Sequence, residues 1–257
     1  MHDLGAPQKS PSALPSREAS HPQEHRRSRL ARWFDTWMRT LGMAFVLFLV
    51  IRTFLLEAFQ IPSGSMERTL LVGDFLFVNK AVYGAVIPGT HARLPGFASP
   101  GRGDVVVFPY PRHPDTTFVK RIVGVGGDTL QMIEGRILVN GVRSVEPYVE
   151  RTDSLRNDCD RDFEWQRDYL ADTTAAARAA YHPCRDDWGP LVVPLHKYFV
   201  LGDNRDISLD SRYWGFVDES AIRGRPLIVY WSVDRDAHDH FPWINDIRWS
   251  RLGSLIH

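Results

Sequence analysis

The stretch Thr117-Phe-Val-Lys-Arg-Ile-Val123 has the β-branched and aromatic content of a strand and carries a lysine at its centre. Side chains alternate faces along a strand, so Phe118, Lys120 and Ile122 share one face. An ammonium on an aromatic-aliphatic face has two physical readings. It is a solvated charge guarding a sheet edge, or it is a buried amine whose pKa desolvation has depressed. Moving a lysine from about 10.4 to about 7–8 takes roughly 4 kcal/mol of differential destabilisation of the ammonium. The neutral amine that results can take a proton from a serine without a histidine or a carboxylate.

On both sides of this stretch the chain continues in short runs of strand type. Phe75-Leu-Phe-Val-Asn79, Asp104-Val-Val-Val-Phe108, residues 118–125, residues 191–201 and Pro226-Leu-Ile-Val-Tyr-Trp-Ser-Val233 are bounded by Gly, Pro and Asp. Leu130-Gln-Met-Ile133 and Ile137-Leu-Val-Asn140 flank Glu134-Gly135-Arg136, which predicts a hairpin with glycine in its loop. Few patterns after residue 60 suggest long helices, so crossover α/β architecture is not expected. The expected fold is mainly β: an antiparallel core made of residues 60–145 and 190–257. A small inserted subdomain, residues 146–189, interrupts it. Its centre is dense in charge, with alanines between residues 171 and 180, and is expected to be helical over residues 163–180.

The 257 residues carry 31 Lys and Arg against 31 Asp and Glu, which gives no whole-chain reason to expect a nucleic-acid partner. The average hides a segregated N-terminus. Residues 1–31 hold four prolines among Ser, His, Gln and Arg, and read as a disordered tail. From Trp33 the character changes, and Leu41 to Ile51 is unbroken by charge. A membrane span over residues 37–59 is long enough, with Arg39 and Glu57 near its ends and Arg52 snorkelling. A buried core helix and a cleavable secretory signal are the rival readings. Arg26, Arg27, Arg29, Arg32 and Arg39 precede the apolar run, whereas Arg68 is the sole basic residue from Phe59 to Asn79. The positive-inside rule then keeps the tail cytoplasmic and exports the rest. Cys159 and Cys184, the only cysteines, would lie where disulfides persist. A bridge between them would close a loop worth roughly 3 kcal/mol in the chain-entropy model, and two free thiols are the alternative.

Two further stretches carry chemistry. In Phe59-Gln-Ile-Pro-Ser-Gly-Ser-Met66, Pro62 and Gly64 impose a turn that can expose a serine Oγ and aim a backbone N–H at a developing oxyanion. In Leu201-Gly-Asp-Asn-Arg-Asp-Ile-Ser-Leu-Asp-Ser-Arg-Tyr-Trp-Gly215, carboxylates, an amide and two arginines crowd together as in a satisfied polar network. Ser208 could orient a lysine, and Asp210 could pair with Arg212 or Arg205. The spacing is not that of a calcium loop and the arginines oppose a cation, so no metal or other cofactor is expected. His91, His113, His182 and His196 sit in loop-like or Pro-adjacent settings, which disfavours a Ser/His/Asp protease.

Three motifs occur in order: Ile-Pro-Ser-Gly-Ser-Met-Glu-Arg-Thr-Leu, Phe-Val-Lys-Arg-Ile-Val-Gly-Val-Gly-Gly-Asp, and Gly-Asp-Asn-Arg-Asp-x-Ser-x-Asp-Ser-Arg-Tyr-Trp-Gly. Together they closely resemble the conserved boxes of bacterial type I signal peptidases, over about residues 41–145 and 190–253. The resemblance implies a Ser/Lys-dyad endoprotease that removes signal peptides from exported preproteins at the membrane surface. By motif position Ser65 resembles its nucleophile and Lys120 its general base. Ser63 resembles the side-chain donor of the oxyanion hole, and Ser208 the group that orients Lys120. Asp210 and Arg212 resemble its structural supports. Ile61, Leu76, Val107 and Val119 are the implied walls of the small pockets that accept a small-x-small cleavage site. The expected partners are preproteins and the lipid bilayer, with the chain a monomer in the bacterial cytoplasmic membrane and its catalytic domain outside. Self-cleaving repressors share such a dyad but carry a DNA-binding module. A peptidase restricted to pilus or conjugation proteins, and an inactive membrane-anchored scaffold, are the alternatives. The short, charged segment at residues 144–190 and the Pro-rich tail depart from the family pattern.

Overall fold

The computed structural model describes residues 23–90, 92–153, 157–234 and 246–256. The chain divides into two units between Phe48 and Leu49. Helix α1 (Gln23–Val50) makes up the described part of the first. Its two threonines cost it little, because Thr36 Oγ1 donates to the Arg32 carbonyl and Thr40 Oγ1 to that of Thr36, both at 2.9 Å. Asp35 and Arg39 pair one turn apart at 3.0 Å. A π-helical turn (Ile51–Leu55) follows α1 in the chain. Over Ala31–Leu55 the helix is 25 residues long and apolar enough to cross a membrane. That corresponds to roughly 37 Å, against a hydrocarbon layer of about 30 Å.

These boundaries correct two expectations. Of the expected tail, residues 1–22 lie outside those described, and residues 23–31 are helical. The expected span over residues 37–59 ends early, because the backbone turns extended at Leu56 and enters strand β1 (Leu56–Gln60). Pairing decides the matter. Each β1 residue from Leu56 to Gln60 faces a partner on strand β2 (Asp74–Asn79).

The second unit is built from three antiparallel sheets. Strand β11 (Arg225–Ser232) pairs with β2 to complete the first, in the order β1-β2-β11. The second sheet runs β10-β9-β4-β3, with β3 at Val105–Tyr110, β4 at His113–Val125, β9 at Lys197–Leu201 and β10 at Val217–Asp218. The third runs β7-β6-β5-β8, with β5 at Thr129–Ile133, β6 at Arg136–Val139, β7 at Val142–Arg143 and β8 at Trp188–Val192. The mainly β, antiparallel reading therefore holds. The β5–β6 hairpin turns on Glu134-Gly135, and β6–β7 on Asn140-Gly141, with all four residues at positive φ as such two-residue turns require. The run expected to be one strand over residues 191–201 is two, separated by Pro194 and by His196 at φ 61°.

The sheets pack around apolar clusters, two of which draw on more than one sheet. One gathers Leu130, Ile137, Trp188 and Phe199, one Val106, Phe108, Ile122 and Val200, and one Ile61, Met66, Leu76 and Val229. The inserted segment is ordered around a 3-10 stretch (Arg161–Tyr169) and the short helix α2 (Ala175–Ala180), so the helical reading of residues 163–180 breaks in the middle. Cys159 and Cys184 are joined in a disulfide.

Candidate active site

Lys120 lies on β4 opposite Val106 of β3, one residue before β9 begins to pair with the other edge of β4 at Arg121. Among the described residues no strand pairs with that edge at residues 113–119, while Lys120 itself is 4% exposed. The edge-guard reading of this lysine fails on that burial. Its ammonium lies 5.3 Å from the centre of the Phe118 ring, on the shared strand face.

Ser65 reaches the same point from a 3-10 turn (Gly64–Met66). Ser63 precedes the turn in extended conformation and is exposed, whereas Ser65 and Met66 are buried. Lys120 Nζ and Ser65 Oγ are 2.6 Å apart and hydrogen-bonded. Burial pulls the Lys120 pKa down to about 8, helped by Arg212 and opposed by the negative charges of Asp210 and Asp203. Desolvation is the largest cause, so the apolar wall around Nζ decides its state.

The loop after β9 closes the site. Asn204 N donates to the Ser65 carbonyl at 3.2 Å, and Gly202 N donates to Asp210 Oδ2 at 3.1 Å. A methyl group on Gly202 would lie 2.2 Å from Ser208 Oγ and 2.4 Å from the Ser65 carbonyl oxygen, so only glycine fits. Asp210 caps helix α3 (Ser211–Trp214) and takes a two-pronged ion pair from Arg212, at 2.8 and 2.9 Å. Both side chains are fully buried. Burial pushes the Asp210 carboxyl up, but the Arg212 charge and hydrogen bonds outweigh it, and the net shift is downward. Arg121, next along β4, grips Asp203 at 2.8 and 2.7 Å and stacks 3.9 Å from the Tyr148 ring.

Three expectations need correction. Ser208 Oγ is buried and makes no hydrogen bond to Lys120; its hydroxyl acts on the Asp210 carboxyl instead, and it borders the space that Gly202 leaves empty. Ile61 and Val119 do line the cavity of about 220 Å³ beside the dyad, together with Phe59, Met66, Phe118 and Ile207. Leu76 and Val107 do not. Leu76 packs behind Ile61 in the core, and Val107 is fully buried opposite Val119, with its N–H on the Gly224 carbonyl. Each stands directly opposite a cavity-lining residue, Leu76 opposite Phe59 and Val107 opposite Val119, and so shares its face but sits on the neighbouring strand. Three roomier clefts, of about 680, 450 and 330 Å³, contain neither Ser65 nor Lys120.

A family model described as signal peptidase, peptidase S26, matches residues 34–231. The chain belongs to that family. It is 31% identical to the signal peptidase I of Buchnera aphidicola subsp. Acyrthosiphon pisum, over 91% of this chain and 86% of that protein. It is 40% identical to the signal peptidase I of Pseudomonas aeruginosa, over 81% of this chain and 74% of that one. A solved signal peptidase I from Enterococcus faecalis V583 is 29% identical and covers 50% of this chain and 97% of its own, with a TM-score of 0.34 that adds nothing to the fold described above. As a signal peptidase this chain is a peptidase whose family cleaves signal peptides from exported preproteins.

Proposed function

We propose that this signal peptidase is a membrane-anchored serine endopeptidase working through a Ser65–Lys120 dyad. The observation that carries the reading is the hydrogen bond of 2.6 Å between Ser65 Oγ and a lysine amine whose pKa burial has brought to about 8. Ser65 Oγ attacks the scissile carbonyl carbon while Lys120 Nζ takes the hydroxyl proton. The tetrahedral oxyanion is held by the Ser65 backbone N–H and the Ser63 hydroxyl. As the carbon–nitrogen bond breaks, Lys120 returns the proton to the leaving amine. Water then attacks the acyl-enzyme while Lys120 takes its proton, and as the ester bond breaks Lys120 passes that proton to Ser65 Oγ, releasing the signal peptide acid, which ionises in solution, and restoring the neutral amine.

Ile61, Met66, Phe118 and Val119 form a small apolar wall beside the nucleophile, which suits substrates with small-x-small side chains before the cut. The helix over Ala31–Leu55 supplies the anchor, and the arginines ahead of it keep the N-terminus cytoplasmic. A substrate held in the same bilayer meets the site at raised effective concentration. Asp210, Arg212 and Gly202 keep the loop packed against the dyad.

The test is cleavage of a preprotein with an Ala-x-Ala signal peptide by detergent-solubilised full chain, beside Ser65→Ala and Lys120→Ala. Wild type should cut after the last alanine and neither variant should. Cleavage by folded Lys120→Ala at the wild-type rate would remove the dyad.

A further inference from the structure

The inserted segment is bound tightly to the loop that carries Ser208, Asp210 and Arg212. Glu150 N donates to the Asp203 carbonyl at 2.8 Å and Arg205 N donates back to the Glu150 carbonyl at 3.0 Å. Arg205 also pairs with Glu146 through two nitrogens, at 3.1 and 2.5 Å. Asp206 Oδ2 accepts from the Asp153 N–H at 2.7 Å. Trp165 Nε1 and Gln166 Nε2 both donate to the Arg212 carbonyl, at 2.9 and 3.3 Å.

Arg185 is where these contacts converge. Its side chain is 3% exposed. Its Nη2 lies 3.4 Å from Asp206 Oδ1 and 3.0 Å from Asp186 Oδ2. Its carbonyl accepts from Arg212 Nη1 at 3.5 Å. Asp206 Oδ1 has no aligned hydrogen bond, so the charges of Arg185 and, at 3.8 Å, Arg151 are what hold it. Arg185 is in turn fixed by its neighbour Cys184, whose disulfide to Cys159 closes a loop within the inserted segment. The Arg185 N–H donates to the Asp158 carbonyl at 2.7 Å, one residue from Cys159.

We propose that Arg185, held in place by the Cys159–Cys184 bridge, is a positioning residue for the Ser65–Lys120 site, acting through Asp206 and Arg212. The inference rests on the dyad reading above. Arg212 holds Asp210, and Asp210 and Arg212 are, with Asp203, the charges that act on Lys120. Asp203 is in turn held by Arg121. Around Arg185 itself the facing charged and titratable groups are Asp186, Asp206, Arg151, Arg212 and Tyr213. Without the guanidinium, Asp206 is left a buried charge short of its partner, and the loop must shift to rehydrate it. A misplacement of about 1 Å at a remote support costs up to a hundredfold in rate.

The experiment compares wild type, Arg185→Gln, Arg185→Lys and the double variant Cys159→Ser/Cys184→Ser as full chains in detergent, on the Ala-x-Ala preprotein. Arg185→Gln should lower kcat on the order of tenfold or more, with KM unchanged and the pH midpoint of kcat displaced. Arg185→Lys, which keeps a charge for Asp206, should recover most of the rate. The cysteine double variant should reproduce the kcat loss, and adding Arg185→Gln to it should cost little more. A folded Arg185→Gln with the wild-type kcat and pH midpoint, or a loss expressed only in KM, would overturn the proposal. If Arg185→Gln does not fold, the cysteine double variant decides by the same criteria. If wild type itself cuts nothing, the dyad reading fails separately. The titration of Lys120 followed by ¹⁵N-lysine NMR then decides: a midpoint moved by Arg185→Gln supports positioning, and an unmoved one overturns it.

Discussion

Lys120 costs the folded protein stability in exchange for its chemistry. Its pKa is about 8 in the native state against an ordinary value of 10.5. The native state therefore sheds its proton before the unfolded chain does, and stability rises with pH between those two values. Below about 8 the full penalty of the buried ammonium is present. Lys120→Met, which keeps an unbranched side chain one atom shorter and removes the charge, should raise stability by about 3 kcal/mol near pH 7. The gain should fade as pH approaches 10.5, and thermal unfolding of both proteins at the two pH values checks this. The pattern of residues 117–123 made Lys120 legible as an odd lysine on an apolar face, but the pattern alone left it open whether that face was buried. The missing β9 partner at residues 113–119, and the packing that buries the amine even so, are tertiary facts. Leu76 and Val107 went astray for a related reason: they share a face with the cavity-lining Phe59 and Val119, and which strand of each pair borders the cavity is set by tertiary packing.

At the scale of elements, the site depends on how closely the loop after β9 approaches the serine turn. Gly202 sits between Ser208 and the Ser65 carbonyl with no room for a methyl group. Gly202→Ala should abolish cleavage while β9, whose strand pairing lies before it, is retained. Preprotein turnover and circular dichroism on the same sample would show this, and full activity would mean that the loop yields freely. The importance of this glycine was not legible, since its φ is unremarkable and the constraint is the approach of two other segments. Strand positions were read well because period-2 runs bounded by Gly and Pro are local signals. The end of the helix was not, because Leu56-Glu-Ala-Phe-Gln60 is as apolar as a helix end and becomes a strand through pairing with β2.

At the scale of the whole molecule, the chain joins an apolar helix to a β domain in which Ser65 and Lys120 are buried together. The inserted segment, which the sequence presented as a charged excursion, carries the ion pairs and backbone bonds that fix the loop behind the dyad. The sequence showed its density of charge but not these partners, because ion pairs between residues 21 to 59 positions apart leave no periodic trace. The arginines before the apolar run predict a fixed orientation. In sealed inverted membrane vesicles an N-terminal epitope should be open to added protease and the β domain protected. The opposite pattern would reverse the assigned topology.

The central claim is that a neutral Lys120 is the working base, and the pH dependence of kcat for signal-peptide cleavage tests it most directly. The account predicts a rate that is level above about pH 8, where the amine is free, and falls about tenfold per unit below it. A profile that stays flat down to mildly acid pH, with the protein folded throughout, would contradict it.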